Sequence, residues 1–148
     1  GESYASSKDA LLKLKAAGIK SSVMILNGLG GLKFSEQHAI NTAKLMNDTQ
    51  PEYVSTLVVS FPMGEERFRE AFNGDYEPLQ QADLFKEIRT LIAHFELDNT
   101  VFRSDHASNY LVLKGDLGAD KQAMLDKIDL ALNKPGAIPL RQEWQRGL

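Results

Sequence analysis

The run Val23-Met24-Ile25-Leu26 passes directly into Asn27-Gly28-Leu29-Gly30-Gly31, and a helical pattern follows. Nothing else in the chain limits the fold as tightly. Four consecutive apolar residues between turn signals suit a strand in a parallel sheet better than a half-solvated strand, which would alternate. Glycines at its end allow a tight strand-to-helix turn and a close approach to the backbone. A strand–turn–helix unit of this kind belongs to α/β architecture.

The rest of the pattern agrees. Ser6 or Ser7 is placed to cap a helix running to about Ala17, with Leu11, Leu12, Leu14 and Ala17 as its apolar stripe and Gly18 at its end. A second helix is predicted from Ser35 to about Asn47, broken by Pro51. Val54 to Phe61 reads as a strand and Glu65 to Asn73 as a short helix. Leu84, Phe85, Ile88, Leu91, Ile92 and Phe95 fall at helical spacing on one face. Asn99 to Arg103 reads as a third strand, and Asp120 to Asn133 as a last helix before a tail opened by Pro135, Gly136 and Pro139. Alternation of this kind predicts about three parallel strands joined by right-handed crossovers. At 148 residues this is one domain, 1–148.

Composition excludes several functions. The 17 basic and 20 acidic residues give a net charge of -3, against a nucleic-acid surface. No apolar run approaches the ~18 residues of a membrane span, so a cytoplasmic soluble domain is expected. The chain has no cysteine, which removes thiolate nucleophiles, disulfides and thiolate-held metals or clusters. It starts with Gly1 rather than Met, as expected of a processed protein, a tag remnant or a piece of a longer protein, and three strands are few for a sheet, which favours the last.

Two segments could carry chemistry. The first is the glycine-rich turn, at the strand end where parallel α/β sheets bind ligands. It has neither the Gly-Lys-Ser/Thr of a phosphate loop nor dinucleotide-binding spacing, and from the residues alone a plain connector is the more natural reading. The second is Phe102 to Gly115, which places Arg103, Ser104, Asp105, His106, Ser108, Asn109 and Tyr110 within eight positions. These groups could form an acid–base pair, a hydrolase site from Asp105, His106 and Ser108, a surface for a partner, or a hydrogen-bonded irregular segment. His38 and His94 have no metal-ligand spacing and read as surface or boundary residues.

The turn, and the tail from Phe-Arg-Ser-Asp-His-Ala-Ser-Asn-Tyr-Leu-Val-Leu-Lys-Gly (102–115) to Leu-Arg-Gln-Glu-Trp-Gln-Arg-Gly-Leu (140–148), together resemble the C-terminal part of radical SAM enzymes. The similarity is to a bacterial group of Fe–S oxidoreductase or coproporphyrinogen III oxidase-like proteins. It implies part of a (β/α)6 partial TIM-type barrel (1–98), with helices mainly on one face, and a family-specific C-terminal segment (99–148). It implies an oxidoreductase parent that binds S-adenosylmethionine and a [4Fe–4S] cluster through cysteines on an N-terminal half of the barrel. The isolated chain would hold neither firmly and would be inactive alone, with no catalytic or metal-ligating residue of its own.

Laid on the family's G-x-I-x-G-x-x-E motif, Leu26 takes the Ile position and Gly28 its Gly, while Met24 and Gly31 replace the first Gly and the Glu. The resemblance thus implies that Leu26, Asn27, Gly28, Leu29 and Gly30 border the cofactor's adenine, and that Arg103, His106, Ser108 and Asn109 lie on the substrate side or close the barrel mouth. The substrate is not specified. An uncovered apolar sheet face would further imply self-association as a homodimer. The alternative is a non-catalytic binding or assembly module that uses Arg103 to Tyr110.

Overall fold

The computed structural model describes residues 2–146. In chain order it contains α1 (Tyr4–Ala16), β1 (Ser22–Asn27), α2 (Gly31–Thr49), β2 (Tyr53–Val58), α3 (Glu66–Ala71), α4 (Gln81–His94), β3 (Val101–Ser104), β4 (Leu113–Asp116) and α5 (Lys121–Asn133). Two short 3-10 turns follow, Pro135–Ala137 and Glu143–Gln145. The protein is α/β, with a mostly parallel four-stranded sheet ordered β1-β2-β3-β4. β1, β2 and β3 are parallel, and β4 runs antiparallel to β3. No helix among the described residues is long and apolar enough to cross a membrane.

β4 departs from the sequence reading, which placed all of 102–115 in one strand end and a polar segment. The chain turns back after Tyr110, and Leu113 pairs with Ser104 while Asp116 pairs with Val101. The helix-1 reading also changes. Ser3, not Ser6 or Ser7, is its N-cap: Ser3 Oγ accepts the Ser6 N–H, and Ser6 Oγ accepts the Ser3 N–H. The stripe proposed for α1 is mostly outside the core: no residue of α1 is buried, and Leu12 and Leu14 are exposed. The helix is held by polar contacts instead, with Tyr4 and Lys8 on Asp48 and Lys15 Nζ on the carbonyls that end α2.

α2, α4 and α5 pack side by side on one face of the sheet. Ala39, Ala43 and Met46 of α2, Ile88, Leu91 and Ile92 of α4, and Met124 and Ile128 of α5 meet Ile25, Val54, Phe102 and Leu113 from the strands. Residues from both 1–98 and 99–148 therefore share one core and one sheet.

Strand alternation puts the other side chains on the opposite face. There Met24 is 64% exposed, Tyr53 43% and Leu26 39%. The apolar run of β1 is therefore apolar on both faces but buried on only one. Across the same face the register aligns Met24 with Ser55, Leu26 with Leu57, and Ser55 with Arg103, which in turn faces Lys114.

The turn after β1 has one conformationally demanding residue at the helix start. Gly31 has φ 59°, and a Cβ there would stand 2.9 Å from both the Glu77 carbonyl oxygen and the Tyr76 ring. Gly31→Ala is therefore expected to destabilise the fold by about 1–3 kcal/mol, through strain and overpacking together. Urea denaturation at equilibrium checks this.

Candidate functional site

The carboxyl ends of the parallel strands are built from three pieces: the Asn27–Gly31 turn, the N-terminal turns of α2, and the segment 105–110. The first is fixed by hydrogen bonds. Gly31 N–H donates to Gly28 O at 3.0 Å, and Val59 N–H donates to Asn27 O at 2.9 Å. Gly28 N–H donates to Glu87 Oε1 at 2.7 Å, and the Tyr76 hydroxyl donates to Gly28 O at 3.2 Å. Tyr76 is held there by Phe61, Phe68 and Phe72, whose rings surround it at centroid distances of 4.9 to 5.8 Å. Burial of its ring pushes the Tyr76 phenol upward, with Glu65 adding to the effect. Gly28 itself has φ 87°, and a Cβ would press on Val59 and Leu84. Packing within the chain thus accounts for the glycines at 28 and 31.

Glu87 is the group that sequence reasoning missed. It is 2% exposed, although it lies on α4 among apolar residues. Besides Gly28 N–H, its carboxylate accepts the Ser35 hydroxyl at 2.6 Å. His38 Nδ1 lies 3.4 Å from Glu87 Oε1, too poorly aligned for a hydrogen bond, and has no other partner among the described residues. His38 lies at the boundary of the core, its side chain 21% exposed. A signal was present in the sequence. Glu87 sits three residues after Leu84 and four before Leu91, inside the apolar stripe, and a buried carboxylate needs partners.

The segment 105–110 is anchored where β3 ends before β2 does. Ser108 Oγ accepts the Val58 N–H at 3.0 Å, and Asn109 Nδ2 donates to Thr56 O at 2.8 Å. These side chains stand in for the strand partner that β2 lacks there, and both are buried. Below them Thr56 Oγ1 donates to Ser104 Oγ at 2.7 Å. From outside, the Arg141 guanidinium donates to the carbonyls of Asp105, His106 and Asn109, and Arg146 Nε donates to Ser108 O. Arg146 also stacks on Tyr110, its guanidinium carbon 3.8 Å from the ring centroid. Burial and the Glu143 carboxylate push the Tyr110 phenol upward.

No triad is assembled from Asp105, His106 and Ser108. His106 Nδ1 lies 2.9 Å from Ser108 Oγ and accepts the Ser108 N–H at 3.2 Å, but that hydroxyl is buried against Val58. The Asp105 carboxylate turns away to Lys114 Nζ at 2.9 Å. Lys114 holds the Asp105 carboxyl below the usual carboxylate range. Because the folded value is depressed, this pair contributes stability above the ordinary Asp value of about 3.9 and loses it as pH falls through the folded value. Both side chains are more than a third exposed, so the contribution is under about 1 kcal/mol. The stability gap between wild type and Lys114→Met, from urea midpoints, is expected to be constant from about pH 7 to about pH 5 and to shrink only as pH falls below the ordinary Asp value of about 3.9.

The proposed site residues do not share one surface. Leu26 and Arg103 point from the open sheet face, and both are exposed. Asn27 faces the helices, 2% exposed, and its Oδ1 has no partner among the described residues. It borders a cavity of about 20 Å³ shared with Val58, Ser104 and Asn109. Leu29 and Gly30 line a larger groove along α2. His106 is exposed, whereas Ser108 and Asn109 are used internally. Among the described residues, no group of three or more His, Asp or Glu side chains is placed to hold a metal ion.

Comparisons with protein-family models, with curated proteins and with solved structures find no match to the chain.

Proposed function

We propose that this chain is the later portion of a radical SAM half-barrel, acting with a preceding segment that carries the cluster. One observation carries the reading: Met24 and Leu26 stand exposed on the helix-free face of a parallel sheet, on the strand that the resemblance aligns with the adenine wall. A parallel order β1-β2-β3 with its helices packed on one face is what a barrel segment requires, its other face becoming the interior.

The residues fit the cofactor in part. Leu26, with Met24 and Leu57 beside it, offers an apolar wall for a planar base. The glycine turn offers less, since its conformation is explained by packing. With no cysteine, this chain supplies no thiolate to a cluster. When bound to a reduced cluster, S-adenosylmethionine supplies a 5′-deoxyadenosyl radical that abstracts hydrogen from substrate. In this reading Leu26 binds the base, Glu87 holds the following turn through Gly28 N–H, and Arg103 faces the substrate. Ser108 and Asn109 close the end of β2. The binding-module alternative gains less support, because Ser104, Ser108 and Asn109 of the Arg103–Tyr110 segment are buried and bonded within the chain.

The test joins the chain to its upstream reading frame. Reconstituted with iron and sulfide and then reduced, the joined protein is expected to release 5′-deoxyadenosine, and this chain alone to release none. Leu26→Glu should lower release by at least about tenfold, since it sets a carboxylate against the base. Release by the isolated chain, or an upstream frame without C-x-x-x-C-x-x-C, overturns the reading.

A further inference from the structure

β1 stands at one end of the sheet, and its outer edge pairs with no strand among the described residues. Two hydrogen bonds frame its pairing with β2, from Tyr53 N–H to Ser21 O and from Val59 N–H to Asn27 O. In a parallel pair the bonding residues recur at every second position, so Ser21, Val23, Ile25 and Asn27 serve β2. The backbone N–H and C=O groups of Ser22, Met24 and Leu26 therefore point outward in a row, and no other backbone group among the described residues bonds them.

The opposite edge is blunted. β4 carries Lys114 and Asp116, its Asp116 N–H donates to Asp120 Oδ2 at 2.8 Å, and beside it Lys127 Nζ donates to Val112 O at 3.1 Å. Charges and occupied backbone groups of this kind keep a sheet edge from taking another strand. Ser22–Asn27 has no charged residue and no proline, and its register with β2 runs without a bulge.

The helix layer continues past this undefended edge. α1 packs on α2, α2 on α4 and α4 on α5, with α5 on the β4 side. α2, α4 and α5 each bury apolar residues, whereas no residue of α1 is buried. Leu12 and Leu14 of α1, and Ile19 on the path into β1, are exposed. α1 is thus the outermost helix on the β1 side, with an apolar stripe and little sheet to cover.

Handedness names what belongs beneath it. The chain passes from β1 through α2 to β2, which lies on one side of β1. A strand leading into α1, on the same face as α2, reaches β1 by a right-handed crossover only from the other side. That side is the free edge.

We propose that the free edge of β1 takes a parallel strand of the same polypeptide, a neutral apolar segment of about five or six residues that leads into α1. Its backbone pairs with Ser22, Met24 and Leu26, and its side chains on the helix face pack under α1. This rests on the preceding segment of the reading above, whose docking surface it names, and it holds whether or not that segment carries a cluster. A second copy pairing antiparallel about a two-fold axis would set its own α1 over the same edge.

Amide hydrogen exchange, read residue by residue by NMR, tests the pairing in the chain alone and in the chain joined to its upstream reading frame. In the chain alone, Val23 and Ile25 N–H are expected to exchange slowly and Met24 and Leu26 N–H quickly. In the joined protein, Met24 and Leu26 N–H should slow by at least about tenfold. Met24→Pro removes an outward N–H and leaves the ladder to β2 intact, so it should lower the urea midpoint of the joined protein and leave that of the chain alone nearly unchanged. Met24 and Leu26 N–H that exchange equally fast in both proteins overturn the proposal. So does their protection in the chain alone at concentrations where it is dimeric, which makes the occupant a second copy. The exchange comparison uses no variant, so it decides even where Met24→Pro does not fold. Protected edge amides in a joined protein that releases no 5′-deoxyadenosine would sink the radical SAM reading and uphold this pairing.

Discussion

Glu87→Met is expected to destabilise the protein by about 2–4 kcal/mol, the cost of leaving two donors without the charged acceptor they share. Two groups lose a hydrogen-bond acceptor at once, and a third loses a neighbouring carboxylate. Gly28 N–H and the Ser35 hydroxyl lose acceptors at 2.7 and 2.6 Å, and His38 Nδ1 loses the carboxylate it faces. Gly28 N–H is the most costly of these, since it is buried and water does not reach it without opening the packing of α4. Glu87→Gln separates shape from charge. It keeps the volume and one carbonyl acceptor, and its loss should be nearer 1 kcal/mol. Urea denaturation measures both, and hydrogen exchange at Gly28 N–H should accelerate selectively in the Met variant. A Glu87→Met protein within about 0.5 kcal/mol of wild type would show that the carboxylate does not hold the turn.

The second large effect concerns the tail. Arg141→Met removes a guanidinium that donates to His106 O at 2.7 Å and to Asn109 O and Asp105 O at 3.0 Å each. Those carbonyls belong to an irregular segment with no ladder of its own, so the arginine takes the place of secondary structure there. The expected loss is about 1.5–3 kcal/mol, the range for hydrogen bonds to a charged group. Arg146→Met removes the bond to Ser108 O and the stacking on Tyr110. Because both arginines hold one segment, their effects should not simply add. Circular dichroism melting of the two single variants and the double variant measures this coupling. Hydrogen exchange should show 105–110 opening before the sheet does. An Arg141→Met protein whose segment exchanges as slowly as wild type would sink the clamp.

Much of this frame was legible from local pattern. The stripe of Leu84, Phe85, Ile88, Leu91 and Ile92 is the buried face of α4, and Val23 to Leu26 is within β1. The helix over 120–133 appears as α5. Boundaries were less legible: α2 starts at Gly31, four residues before Ser35, because the turn itself closes into the helix. The reversal into β4 was hidden. Leu113 to Asp116 is a four-residue strand with a glycine inside it, too short for alternation to stand out. The polar cluster stands out in the sequence, but its composition did not separate surface groups from internal ones.

The chain's own order of apolar residues and turn formers determined the α/β class, the parallel strand–helix alternation, the absence of thiolates in this chain and the clustering of polar residues within 102–115. Only the tertiary structure decided how those residues are used. It left one sheet face open under Met24 and Leu26, turned Ser108 and Asn109 inward onto β2, and brought Glu87 to Gly28 and His38. The reason is range. Helix and strand periodicity reports neighbours within a few residues, whereas Gly28 and Glu87 are 59 positions apart, and Thr56 and Asn109 are 53. Contacts at that separation follow from how the helices stack on the sheet, and no local pattern encodes them.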